Sequence, residues 1–369
     1  MPAAITAIGA VSAHGVGVRV LEEALREGKS GVKPIEAFST ADLCTTLAAW
    51  APVKTGKDRA LELMNLALDE ALAGRSTVPS NRRAAILGST KGSLHRVLEG
   101  ELADGIAPLA AALAKRVGAR GPVVAVSAAC ASSSAALGEA LTLLEDGTVD
   151  EVVVAGVEAL HPFVFSGFHA LKAMSPRNAA PFDGGRLGLS MGEGAGVLVL
   201  ESGSKLKSGE KVLAGLLGFG NSADAWDQTA PHPKGEGLLR AARAALARAG
   251  LQPSDIGRYH AHGTATQQND DMEAQVCQAL FGPRGRPLTA FKGSLGHTLG
   301  AAAALDAIGT ICALQRGELW PVVGHSQPQA SHALDVVTQR RAYSQPTALV
   351  ATAGFGGVNG ALVLTRGTA

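Results

Sequence analysis

The stretch Val123–Leu144, "VVAVSAACASSSAALGEALTLL", decides the architecture. Its first five residues, Val123–Ser127, predict a buried strand. From Ala129 onward the Ala, Leu and Glu content predicts a helix. Cys130 sits at the seam. A thiol at a helix N-terminus meets free backbone N–H groups and the positive end of the dipole, both of which favour thiolate. The same N–H groups are placed to bind an oxyanion on an attacked carbonyl. On position alone, a buried apolar cysteine in a strand–helix corner is the simpler reading.

Outward from this seam, strand-like and helix-like runs alternate, which predicts an α/β fold. Strands are predicted near Ile5–Ile8, Ala84–Gly88, Val123–Ser127, Glu151–Ala155 and Gly196–Glu201. Five more fall near Val212–Gly218, Arg258–His262, Leu288–Lys292, Ala348–Ala353 and Ala361–Thr365. Helices are predicted over Arg59–Ala73, Ala129–Leu144, Gly237–Ala249, Met272–Leu280 and His297–Leu314. Five strands followed by five suggest a duplication. "LTAFKGSLGHTLGAAAALDAIGTICAL" repeats the plan of the opening stretch, and "GFGGVNGALVLT" repeats that of "GEGAGVLVLE". The polar run Ser202–Lys211 divides the halves, 1–205 and 206–369. Both halves belong to one body, because continuous apolar strands need cover on both faces.

Composition narrows the function. Hydrophobic residues make up 46% of 369 and charged residues 18%, with a net charge of +1. A large core and a soluble globular protein are expected. Without a long Lys/Arg run, neither nucleic acid nor an anionic membrane is an expected partner. No apolar run reaches the roughly eighteen residues of a membrane span. The opening "MPAAITAIGAVSAHG" reads as a first strand and not a signal peptide. Cys44, Cys130, Cys277 and Cys312 form no CxxC pair, which fits reduced cytoplasmic thiols better than disulfides or a zinc site.

Three further motifs carry chemistry. In "HAHGTATQQNDDMEAQ" (His260–Gln275), His262 follows a strand and precedes a polar turn with Thr264, Thr266 and Asp270. A histidine there can donate hydrogen bonds to a ligand, although a satisfied core histidine would look the same. In "FKGSLGHTLGAA" (Phe291–Ala302), Lys292 ends a strand and His297 opens a helix, whose dipole would keep the imidazole neutral. A solvent-facing cap with a snorkelling lysine is the plainer alternative. "GFGGVNG" (Gly354–Gly360) has four glycines in seven residues, allowing close ligand approach. A strand-like run follows it, so it does not read as a nucleotide loop.

Taken together, the order Cys130, His262, Lys292, His297 and "GFGG" resembles the elongating β-ketoacyl-acyl carrier protein synthases of the thiolase superfamily. "SPRNAAPFDGGRLGLSMGEGAGVLVLES" (Ser175–Ser202) and "TAPHPKGEGLLRAARAALARAGLQPSDIGRYHAHGTAT" (Thr229–Thr266) resemble the family's segments, as does "AITAIGAVSAHGVG" at the start. The resemblance covers nearly the whole chain. It implies a duplicated thiolase-like fold with five layers, α/β/α/β/α. It implies an acyltransferase that condenses an acyl group on Cys130 with a malonyl group on acyl carrier protein, by decarboxylation. His262 and His297 would stabilise the enolate, and Lys292 would pair with Glu273 behind them. Backbone N–H groups of Cys130 and Phe355 would form the oxyanion hole, with Phe355 also the gate. Thr264 and Thr266 would contact the phosphopantetheine arm. No metal or redox cofactor is implied. The implied partners are acyl carrier protein and a second subunit, in a homodimer or a heterodimer with a sister ketosynthase.

The chain departs from the family in places. The stretch between "GSTKGS" (Gly88–Ser93) and "GPVVAVSAAC" is short, where the family carries dimer and acyl-pocket contacts. Ala128 stands where Thr is usual, Ala353 where a second Phe is common, and Ala265 where Gly or Ser is usual. These changes suggest a specialised pathway of polyketide or aryl-polyene type. A degradative thiolase would need a second cysteine in the C-terminal Gly-rich loop, and an initiating synthase would have Asn at position 297. A non-catalytic chain-length-factor subunit shares the fold but lacks the nucleophile.

Overall fold

The computed structural model describes residues 2–206, 209, 211–328 and 333–367. The ten main strands are β1 (Ala3–Ser12), β2 (Arg83–Gly88), β3 (Val123–Val126), β4 (Glu151–Glu158) and β5 (Gly194–Ser202), then β6 (Ala214–Ala223), β7 (Arg258–His260), β8 (Leu288–Thr289), β9 (Thr347–Gly354) and β10 (Val358–Arg366). They join in the order β8-β7-β9-β10-β6-β1-β5-β4-β2-β3. From the centre outward, β1–β5 run first, fifth, fourth, second, third, and β6–β10 run the same way. Parallel and antiparallel pairings repeat too. β2 is parallel to β3 and β4, and β7 to β8 and β9. The two sets meet where β1 pairs antiparallel with β6.

The principal helices are α1 (Arg59–Ala71), α2 (Ala107–Val117), α3 (Ser132–Glu145), α4 (Pro162–Ala170), α5 (Glu236–Ala249), α6 (Gln267–Phe281) and α7 (Ala302–Arg316). Strand alternation sorts them into layers. Ile86, Val152, Val154, Leu198 and Leu200 face inward with Val350, Leu362 and Leu364, enclosing α3 and α7. The intervening residues Leu87, Val153, Val197 and Val199 face α1 and α2. On the other side Tyr259, Leu349, Ala361 and Val363 face α5 and α6. Five layers result, α/β/α/β/α. The inner helices lie close: Ser133 Oγ on α3 accepts from Ala304 N on α7 at 3.0 Å. Gly156 permits this, since a Cβ there would come within 2.8 Å of both Ser133 and Ala304 side chains.

Several boundaries differ from the sequence reading. β3 is not buried: it is the sheet's outer strand, and Val123 is 47% exposed. β8 stops at Thr289, so Lys292 opens a one-turn helix, Lys292–Leu295, and does not end a strand. β7 ends at His260, leaving His262 in the following turn. His297 precedes a 3-10 turn, Leu299–Ala301, and α7 begins only at Ala302. Positions 207, 208 and 210 of the expected Ser202–Lys211 divide lie outside the described residues. No helix among the described residues is long and apolar enough to cross a membrane.

Candidate active site

The two repeated seams converge. β3 leads through Ala128 and Ala129 to Cys130. Ala129 has φ +48°, a left-handed conformation that costs any residue with a Cβ some strain. Ser132 Oγ accepts from Ala128 N and donates to Ala129 O, at 3.0 and 2.6 Å. This turn aims the thiol into a cleft of about 460 Å³ that Cys130, His262 and His297 share with Thr264, Thr266 and Phe355. His297 Nε2 lies 3.0 Å from Cys130 Sγ. The His262 and His297 rings meet edge to face with centroids 5.1 Å apart. Glu158, buried on β4, accepts from Thr90 N and Gly300 N at 2.9 and 3.0 Å, fastening the turn after His297.

The electrostatics differ from the helix-terminus expectation. Burial pushes the Cys130 thiol up to about 11, against the Phe355 backbone N–H and the Lys292 charge, which pull it down. Desolvation at a 5%-exposed thiol outweighs the dipole of a helix that starts two residues later. His297 is neutral as expected, but burial and then Lys292 are the causes, pushing its pKa down to about 3. His262 is held well below its ordinary value by burial, then by Lys292. In both rings Nδ1 is buried without a partner. An orphaned lone pair costs less than an orphaned N–H, so the proton belongs on Nε2. Both imidazoles are thereby N–H donors.

Lys292 does not pair with Glu273. Its Nζ lies 3.1 Å from Asp306 Oδ2 on α7. Lys292 projects into the inner layer, whereas Glu273 sits on α6 in the outer one. Glu273 accepts from His262 N, Gly263 N, Asn269 Nδ2 and Tyr259 Oη at 2.7, 2.6, 2.8 and 3.2 Å. Burial pushes its carboxyl up to about 7. It therefore supports the His262 turn through backbone. Thr264 and Thr266 present hydroxyls 2.9 Å apart to the cleft, with Ala265 between them at φ +67°. Phe355 stacks on Phe168, with centroids 5.5 Å apart and planes 22° apart. A Cβ at Gly354 would lie 3.1 Å from Cys130 N, which explains a glycine there.

Sequence reasoning missed Asp306, Glu158 and Phe168. Asp306 had a signal, as a lone carboxylate in the apolar helix "AAALDAIGTICAL". Among the described residues, Cys130, His262 and His297 form the one group of three or more His, Cys, Asp or Glu residues whose donor atoms all lie within 4.8 Å of one another. The chemistry fits a resident metal poorly. Ligating histidines normally donate their second ring nitrogen to an oriented acceptor, and here both Nδ1 atoms lack a partner. The Lys292 charge also acts on the site.

Comparison with known proteins gives the chain a family. Models of the β-ketoacyl synthase N-terminal and C-terminal domains match residues 84–205 and 213–326. A putative polyketide β-ketoacyl synthase 1 of Streptomyces cyaneus is 32% identical over 411 residues, covering 98% of this chain and 97% of the relative. The 3-oxoacyl-[acyl-carrier-protein] synthase 2 of Vibrio cholerae is 31% identical, covering 98% of each. Among solved structures, the ishigamide ketosynthase/chain length factor is similar with a TM-score of 0.91 and 30% identity, over 99% of both chains. The ketosynthase ApeO in complex with its chain length factor ApeC, from Xenorhabdus doucetiae, has a TM-score of 0.86 and 28% identity, over 99% of this chain and 98% of that one. The chain belongs to the β-ketoacyl synthase family, condensing enzymes of fatty acid or polyketide synthesis with a thiolase-like fold.

Proposed function

We propose that this chain is a catalytic β-ketoacyl-acyl carrier protein synthase and not a nucleophile-free partner subunit. The observation that carries this reading is Cys130 Sγ at 3.0 Å from His297 Nε2, with His262 beside them in one cleft. In the first half-reaction Cys130 sulfur attacks the thioester carbonyl of an acyl carrier protein. The bond between the acyl carbon and the pantetheine sulfur breaks, and the thiol proton leaves on the pantetheine sulfur. His297 Nε2–H and the Lys292 charge stabilise negative charge on Cys130 as it develops. In the second, the malonyl carboxylate leaves as CO₂, and the resulting enolate oxygen is held by the N–H groups of His262 and His297. Decarboxylation makes the carbanion without a strong base, so two neutral donors suffice. The carbanion attacks the acyl-Cys130 carbonyl, whose oxyanion is held by Cys130 N and Phe355 N. Collapse releases the β-ketoacyl product and the Cys130 thiolate, which takes a proton from water.

Thr264 and Thr266 hold the pantetheine arm, Phe355 on Phe168 gates the cleft, and Glu273 supports the His262 turn. Substrates arrive on acyl carrier protein, and the scheme asks for no other cofactor. The halves divide at 205/206. The open edge of β3, with its half-exposed valines, suits a second subunit. Related structures include a ketosynthase with its chain length factor and a type II acyl carrier protein in complex with its ketosynthase. A homodimer and a sister-subunit heterodimer both fit. Four free cysteines suit the cytoplasm. The departures at Ala128, Ala265 and Ala353 favour a secondary pathway of polyketide or aryl-polyene type.

Intact-protein mass spectrometry after incubation with acyl carrier protein thioesters tests this. An acyl adduct should form on wild type and be absent from Cys130→Ala. Unmodified wild type across several acyl lengths would show a non-catalytic subunit.

A further inference from the structure

Strand β7 and the turn after it carry Arg258, His260 and His262 at alternate positions, and the scheme above uses only His262. His260 is fully buried, with its ring centroid 4.3 Å from that of Phe291. Its Nδ1 is 2.9 Å from Thr289 Oγ1 on β8. Its Nε2 is 3.3 Å from Asp306 Oδ1, off the line of a good hydrogen bond. The other oxygen of that carboxylate, Oδ2, receives Lys292 Nζ. Asp306 is thus clasped between His260 and Lys292. A carboxylate only accepts, so a lone pair on Nε2 would face an anionic oxygen. The N–H therefore belongs on Nε2, and the Thr289 hydroxyl donates to Nδ1.

We propose that His260 is a positioning residue: backed by Thr289, it holds the Asp306 carboxylate, and through it the Lys292 ammonium, in place against His262 and His297. The proposal rests on the condensing-enzyme reading. The charged and titratable groups around His260 are Asp306 on α7, Lys292 on the one-turn helix, Arg258 on its own strand and His262 in the turn that follows. The neighbouring strands contribute uncharged Thr289 and Val350. Burial pushes the Asp306 carboxyl up, but the Lys292 charge and the adjacent His260 reverse this, leaving it below its ordinary value. Losing His260 lets that carboxyl rise. Once protonated, it leaves Lys292 a buried ammonium without its counter-charge. The acid limb of decarboxylation then moves to higher pH.

The experiment compares wild type with His260→Leu, His260→Gln and Thr289→Val, from roughly pH 3 to pH 8. It reads CO₂ release from malonyl carrier protein and acyl loading of Cys130. His260→Leu should slow CO₂ release about tenfold at neutral pH and raise its acid limb by about one pH unit. Loading should stay within about threefold, because Cys130 keeps its His297 contact. His260→Gln keeps an N–H donor and should recover CO₂ release to within about threefold. Equal losses for Leu and Gln, a uniform loss with an unmoved limb, or no change would overturn the proposal. If His260→Leu does not fold, Thr289→Val decides: a limb moved upward supports the proposal, and an unmoved one overturns it. Wild type that neither loads nor releases CO₂ would defeat the condensing-enzyme reading and the proposal with it. Active wild type with unmoved limbs would defeat the proposal alone.

Discussion

His297→Ala separates the two half-reactions. His297 is 2% exposed, and its Nε2 lies 3.0 Å from Cys130 Sγ. For the enolate it supplies one of two N–H donors. Removing one such donor typically costs about 10²–10³ in rate, ~2.7–4 kcal/mol. For loading it supplies one hydrogen bond to sulfur, while the Phe355 N–H and the Lys292 charge still favour thiolate. The lower end of a charge-assisted bond, ~1.5 kcal/mol or about tenfold, is the expected loss there. CO₂ release from malonyl carrier protein should therefore fall at least about ten times further than loading. Rapid-quench mass spectrometry follows the acyl adduct, and a coupled CO₂ assay follows decarboxylation. Equal losses in both half-reactions would refute the assignment of His297 to the enolate.

Three other perturbations test separate parts of the site and fold. With the Cys130 thiol pushed up to about 11, its alkylation by a small neutral reagent should rise continuously from roughly pH 7 to pH 10. A plateau near neutrality would show a preformed thiolate. Gly354→Ala sets a Cβ 3.1 Å from Cys130 N, so loading should fall roughly tenfold with little change in Tm; unchanged loading would remove that N–H from the oxyanion hole. The Arg26 guanidinium and the Trp320 N–H bring the Glu318 carboxyl down to about 2. A depressed carboxyl stabilises the fold above its ordinary value and loses that contribution as pH falls towards 2. Glu318→Gln should accordingly lower Tm at pH 7, by an amount that shrinks below about pH 4.5. A pH-independent difference would contradict the linkage.

The layers were legible because each strand alternates or runs continuously apolar. Val153 and Val154, one residue apart, fill two different cores. The outer position of β3 was not legible. "VVAV" has the composition of a central strand, and only pairing on a single side, to β2, makes it an edge. Cys130, His262, Lys292 and His297 were legible as a set through their order. The partner of Lys292 was not, since its proximity to Asp306 depends on which helical layer the Lys292 side chain enters. Glu273 lies closer to the His262 motif in sequence but in the other helical layer. The thiol's direction of shift was misjudged for a related reason. A helix N-terminus is visible in sequence, but the apolar cluster that Cys130 joins with Leu160, Phe165, Leu189 and Leu299 is not. His260 was signalled in "RYHAH", where period two places it on the face of His262.

Condensation itself is the most direct test. Wild-type protein given acyl and malonyl carrier proteins should yield CO₂ and a β-ketoacyl carrier protein in equal amounts, and Cys130→Ala should yield no β-ketoacyl product. A wild type that makes none with any acyl donor, or a Cys130→Ala variant that makes as much, would contradict the assignment of Cys130 as the nucleophile.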